Sequence, residues 1–131
     1  MSRYCLDTSA YSQMKRGERR VAELVDRADW IGMPTVVLGE LYAGFQSGSR
    51  RKQNETELDE FLAQPVVEEL PVKHEVARIF GELVFELRRR GKPLPSNDIW
   101  IAATCSCAGA TLLSFDAHFR DFPRLGALVL G

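Results

Sequence analysis

Four carboxylates stand where a carboxylate needs a reason: Asp7, Glu40, Asp98 and Asp116. Asp7 closes a short β-prone run that begins at Tyr4, and Asp116 follows another, Leu112-Leu113-Ser114-Phe115. An aspartate after a strand commonly caps a helix or makes an Asx turn, because its side chain accepts from backbone N–H groups just ahead. Asp98 lies in the first turn of a helix opened by Ser96-Asn97, where the helix dipole favours an acid. Its sequel, Ile99-Trp100-Ile101-Ala102-Ala103, is apolar enough to make that helix central and to turn its polar start toward a cavity. Glu40 is the strangest. Val36, Val37 and Gly44 fall at helical spacing from it, so it shares the apolar face of its helix. A carboxylate there is costly unless it is paired or bound to a cation. Two readings follow: a buried ion pair with an arginine, or a working site.

The joint pattern decides more than any member. Two carboxylates ~5 Å apart repel by roughly 3 kcal/mol at an effective dielectric of 20. Several together are tolerable only around a divalent ion or shared protons. Oxygen donors alone suit Mg²⁺ or Mn²⁺ rather than zinc.

The elements that must position them alternate. Tyr4–Asp7, Trp30–Met33, Val66-Val67, Thr111–Ser114 and Leu128–Leu130 read as short strands. Helical stripes run through Glu18–Ala28, from Pro34 to Phe45, and through Glu57–Ala63. The strongest helix is His74–Arg90, with Val76, Ala77, Ile79, Phe80, Leu83, Val84 and Leu87 as its buried face and Gly91 as its stop. Thr8-Ser9 can cap a first helix, and Ser96-Asn97 caps the helix that runs to Ala108. Strands alternating with helices predict an α/β domain with a short parallel sheet, whose ligands bind at the carboxyl ends of the strands.

Composition sets the frame. The 131 residues, 45% hydrophobic and 27% charged, predict one soluble domain over 1–131 and exclude disordered and fibrous classes. No apolar run reaches the roughly 18 residues of a membrane span, and the start carries no signal-peptide pattern. With three cysteines, Cys5, Cys105 and Cys107, the expectation is reduced core thiols and a cytoplasmic location. A net charge of −1 argues against coating bulk nucleic acid. Basic residues nevertheless cluster at Lys15-Arg16 with Arg19-Arg20, at Arg50-Arg51-Lys52, and at Arg88-Arg89-Arg90 with Lys92. The bland account is solvated helix C-terminal ends; the other is phosphate binding, by any of the three. Neither His74 nor His118 belongs to a nucleophile motif, so nucleophilic catalysis has no support; His118, two residues after Asp116, is by default a surface residue and otherwise a contact for substrate.

At Leu6-Asp7-Thr8-Ser9, Gly39-Glu40-Leu41, Asn97-Asp98-Ile99-Trp100-Ile101-Ala102-Ala103 and Leu113-Ser114-Phe115-Asp116 the chain resembles the PIN-domain nucleases, and more closely the VapC toxins of bacterial toxin–antitoxin pairs. The resemblance implies a three-layer α/β/α sandwich. It implies that Asp7, Glu40, Asp98 and Asp116 form an acidic quartet holding Mg²⁺ or Mn²⁺. Thr8 and Ser9 match hydroxyls that support the site, Thr8 more closely. It further implies a metal-dependent endoribonuclease that blocks translation, a VapB-like antitoxin as partner, a homodimer and a toxin–antitoxin hetero-oligomer. Ser114 stands where threonine is commoner, which keeps the hydroxyl. Trp30, Tyr42 and Phe45 would line a partner groove or a dimer seam, or pack in the core.

Two rivals remain: a PIN nuclease of RNA processing with no antitoxin, and a non-catalytic metal-binding module on the same fold. A haloacid-dehalogenase-like phosphotransferase needs a second aspartate two residues after Asp7, where Ser9 stands.

Overall fold

A computed structural model describes all residues from Met1 to Gly131. Five strands, β1 (Arg3–Leu6), β2 (Trp30–Pro34), β3 (Val67–Leu70), β4 (Thr111–Ser114) and β5 (Ala127–Val129), form one sheet in the order β3-β2-β1-β4-β5. Every pairing is parallel. Parallel strands need crossover connections, and six helices supply them: α1 (Thr8–Lys15), α2 (Arg19–Arg27), α3 (Thr35–Gln46), α4 (Arg51–Leu62), α5 (His74–Arg89) and α6 (Ser96–Ala108). Right-handed crossovers put α1 to α4 on one face and α5 with α6 on the other. This is the three-layer arrangement expected above.

Burial explains the strand sequences. Cys5, Leu6, Leu112 and Leu113, on the central pair β1 and β4, are fully buried. They read as continuous apolar runs because helices cover both faces. β3 is an edge strand, and its Glu68 and Glu69 are exposed, which blunts further strand pairing. The α5 and α6 helices end where expected. Gly91 and Gly109 take the left-handed conformation, at φ 68° and φ 65°, that a helix C-terminus requires and glycine adopts without strain.

Several local expectations are corrected. Asp7, not Thr8 or Ser9, caps α1, and α6 is entered through Pro95 with no side-chain cap. α4 begins six residues before the predicted Glu57, although its first turns carry no apolar stripe; packing of Leu58 and Phe61 holds it. Ala77 and Gly44 are exposed rather than part of buried faces. Cys5 and Cys105 are buried, but Cys107 is exposed, because residues two apart on a helix face different ways. Trp30 opens β2 and so sits at the amino-terminal edge of the sheet. There Arg3 stacks over its ring and its indole N–H donates to Glu68. No helix is long and apolar enough to cross a membrane.

Candidate active site

The strand order reverses between β1 and β4, since the chain moves outward from β1 to β3 and then returns to β4. The carboxyl ends of these two strands flank that switch point, where an open α/β sheet leaves a crevice. Asp7 directly follows β1, and Asp116 follows β4 by two residues. α6 enters the same edge with Asp98 in its first turn. α3 reaches it from the other face and brings Glu40, which Asn97 of α6 touches. Four separate segments thus deliver the four acids to one edge.

Asp7 is the best-held member. It is only 4% exposed. Its Oδ1 accepts from the Ala10 backbone N–H at 2.7 Å and from the Ser9 hydroxyl at 2.7 Å. Its Oδ2 accepts from the Ser114 hydroxyl at 2.6 Å. The cap and the candidate site acid are therefore the same residue. A carboxylate offers about four lone-pair sites, so the three bonds leave one on Oδ2 uncommitted. Burial pushes the Asp7 carboxyl above its usual pKa, the three hydrogen bonds pull it down, and the Asp116 charge pushes it up again.

Ser114 and Ser9 tie the strands' ends together. The Ser114 hydroxyl, wholly buried, also accepts from the Asp116 N–H at 2.9 Å, so one side chain orients both aspartates. Ser9 Oγ accepts from the Phe115 N–H at 2.9 Å. Thr8 has a different task from the one its position beside Asp7 suggests: its hydroxyl donates to Glu40 Oε1, while Asn97 donates to Oε2 at 3.2 Å. Glu40 is half-buried, and both its oxygens are fixed by neutral donors. No arginine reaches it, so the ion-pair account of this residue is not what the structure holds.

Asp98, with its side chain 17% exposed, and the more open Asp116 face each other beside His118. The Nδ1 of His118 lies 3.3 Å from Asp98 Oδ2 and 3.4 Å from Asp116 Oδ1. One oxygen of each aspartate and one nitrogen of His118 all fall within 4.8 Å of each other. Burial raises the Asp98 pKa, the bond to His118 opposes this, and the charges of Asp116 and then Glu40 raise it further. Asp98 therefore feels two of the other three acids, and Asp7 feels Asp116.

Of the seven lysines and arginines in ion pairs, none pairs with Asp7, Glu40, Asp98 or Asp116. Four carboxylates with no strong cation among them, and one buried oxygen with an open lone pair, make a donor set suited to a hard divalent ion. His118, Ser114 and Asn97 belong to this site, although the sequence paired none of them with an acid. Each lies within two residues of an acid, which is the one signal that marks them.

Comparison with known proteins bears on this geometry. The PIN domain family matches residues 4–125. The chain belongs to the PIN-domain family. A relative named Ribonuclease VapC2, from Haemophilus influenzae, is 30% identical over 98% of this chain and 96% of its own length, which sets this PIN domain among the VapC proteins. The structure of VapBC2 from Rickettsia felis, bound to a DNA fragment from their promoter, matches with a TM-score of 0.85 at 25% identity. That match covers 98% of this chain and 99% of the other. DNA-bound VapBC from Salmonella typhimurium shares the fold, with a TM-score of 0.86 at 20% identity over 98% of each chain.

Proposed function

We propose that this PIN domain is a Mg²⁺- or Mn²⁺-dependent endoribonuclease. On this reading residues 1–131 act as one nuclease domain, the toxin of a VapBC pair that stops translation by cutting RNA. The observation that carries the reading is the convergence of four carboxylates at the switch point of the sheet with no lysine or arginine against them. The ribonuclease names of the relatives and the VapBC complexes among the structural neighbours support the substrate and the partner.

Asp7, Asp98, Glu40 and Asp116 are the residues that would hold the ion. When bound, a divalent cation polarises a phosphoryl oxygen and lowers the pKa of water. The chain's own part is positioning. Ser9, Ser114 and the Ala10 N–H fix the Asp7 plane and leave one lone pair of Oδ2 uncommitted. Thr8 and Asn97 hold both oxygens of Glu40. In the reaction, a water oxygen bonds to phosphorus, the bond from phosphorus to the 3′-oxygen breaks, and that oxygen takes up a proton. The products carry a 5′-phosphate and a 3′-hydroxyl.

The partners on this reading are RNA, a VapB-like antitoxin in a hetero-oligomer, and a second copy in a homodimer. The test compares RNA cleavage by the wild type and by Asp98→Asn, with and without Mg²⁺. Cleavage by the wild type with Mg²⁺ alone is expected. Equal cutting by both proteins, or cutting that ignores the metal, overturns the proposal. Co-purification of a small second protein from the native operon checks the antitoxin.

A further inference from the structure

Three basic clusters compete for the RNA backbone in the sequence, and their ion pairs separate them. Arg89 and Arg90 are taken by Glu86, Lys92 by Asp121, Arg20 by Glu18 and Arg51 by Glu55. Lys15, Arg16 and Arg50 have no carboxylate partner. These three line one cleft of 460 Å³ between α1, α3 and α4, whose wall also contains Thr8 and Glu40 of the acidic site. Other unpaired cations exist, but these share a cavity with the candidate catalytic machinery.

Their positions carry a second argument. Lys15 and Arg16 end α1, where a cation is favoured by the helix dipole. Arg50 stands at the start of α4, followed by Arg51 and Lys52, with no acid in that first turn. Cations at this end are disfavoured by the same dipole, so the solvated-end account fits Lys15 and Arg16 but not Arg50. Arg50 bonds only to the neutral Gln53, at 3.2 Å. Its charge remains free for an anion. The cleft also presents the ring of Phe45, half-buried, as an apolar surface of the kind on which bases stack. Glu57 is the one other carboxylate in the wall.

We propose that this cleft is the track for single-stranded RNA beside the cleavage site, with Lys15, Arg16 and Arg50 each neutralising a backbone phosphate. The proposal rests on the ribonuclease reading and adds the path of the strand. RNA is favoured over a protein segment because the wall is mostly polar and its three unpaired cations outnumber its two carboxylates, Glu40 and Glu57, while Phe45 and Leu41 are among the few apolar residues lining it.

The experiment is fluorescence anisotropy of a labelled single-stranded RNA of about 12 nucleotides with the full chain. A chelator prevents cutting, and affinity is read against salt. Each phosphate contact on a single strand contributes about 0.7 to the slope of log affinity against log salt. The Lys15→Ala/Arg16→Ala/Arg50→Ala variant should therefore lose about 2 from the slope. Between 50 and 200 mM salt, the wild type should weaken about twentyfold more than the variant. Arg89→Ala/Arg90→Ala, in which the cations are already paired, should keep the wild-type slope. Arg16→Lys/Arg50→Lys should keep it as well, because the charges remain.

A triple variant with an unchanged slope overturns the track, whether or not the protein cuts RNA. Unchanged RNA binding with lost binding to a co-expressed antitoxin makes the cleft a protein groove and also overturns it. RNA bound with the expected slope by a wild type that cuts nothing leaves the track standing and removes the ribonuclease reading.

Discussion

Titrating Mn²⁺ into the metal-free protein should raise its Tm, and Asp98→Asn should abolish the rise. Without an ion, Asp98 and Asp116 face each other with an oxygen of each inside a 4.8 Å group. Their repulsion is about 3.5 kcal/mol at an effective dielectric of 20. The Asp116 side chain is 41% exposed, so water screens the pair to about 1–2 kcal/mol. An ion at a hundred times its Kd stabilises the fold by about 2.7 kcal/mol. For 131 residues the unfolding entropy is about 275 cal/mol/K, so each kcal/mol moves Tm by about 3.6 °C and the full shift is about 10 °C. The pH dependence has a fixed sign. Asp7 and Asp98 both have folded pKa values raised above the ordinary 3.8. These groups therefore favour the metal-free fold at low pH. That contribution is lost as pH rises from their unfolded values through their raised folded ones. Over the same interval protons leave the oxygens proposed to bind the ion. The Mn²⁺ shift should be smaller near about pH 4 than near about pH 7. Differential scanning fluorimetry across pH reads both effects. Metal-free Asp98→Asn should melt no lower than the wild type, because it loses repulsion along with the His118 bond. An equal Mn²⁺ shift in Asp98→Asn, or an equal shift at both pH values, refutes carboxylate ligation at this edge.

Ser114→Ala strips a buried donor from the Asp7 carboxylate; it should cost about 1–3 kcal/mol, read as a lowered urea midpoint at pH 7. Thr8→Val leaves Glu40 with Asn97 alone, so RNA cleavage should fall by about 10–100-fold. Thr8→Ser should restore it, and failure of that rescue shows that the hydroxyl is not what matters. Maleimide should label Cys107 alone in the native protein and all three thiols after denaturation, because Cys5 and Cys105 are buried; mass spectrometry counts the adducts.

The residues that could be read directly are those whose local and global roles agree. His74–Arg89 carries an apolar stripe and Ser96–Ala108 a nearly continuous apolar run, each followed by a glycine stop, and both helices form where the pattern puts them. α4 could not be read in full, because Arg51 to Thr56 is polar and largely exposed, and the packing of Leu58 and Phe61 further along holds the helix. The acids were visible as strand-end and inward-facing carboxylates, and the resemblance pointed to the hydroxyls of Thr8 and Ser9, yet the long-range partners of the acids were not visible. Asn97 meets Glu40 across 57 positions of sequence, and Ser114 meets Asp7 across 107. Spacing along one element cannot report such pairs. His118 is hidden for a related reason. Asp116 caps the 3₁₀ turn Ala117–Asp121 by accepting from the His118 N–H, and His118 then sits with its imidazole beside both Asp116 and Asp98. A cap residue that also faces the crevice is the recurring device here, at Asp7 and again at Asp116. The backbone N–H groups that satisfy one oxygen of each carboxylate also aim it, so the ordinary account of these aspartates as caps and the functional one describe the same geometry. Their chemistry then depends on what remains after capping: at Asp7, an Oδ2 with one donor already in place and one lone pair uncommitted.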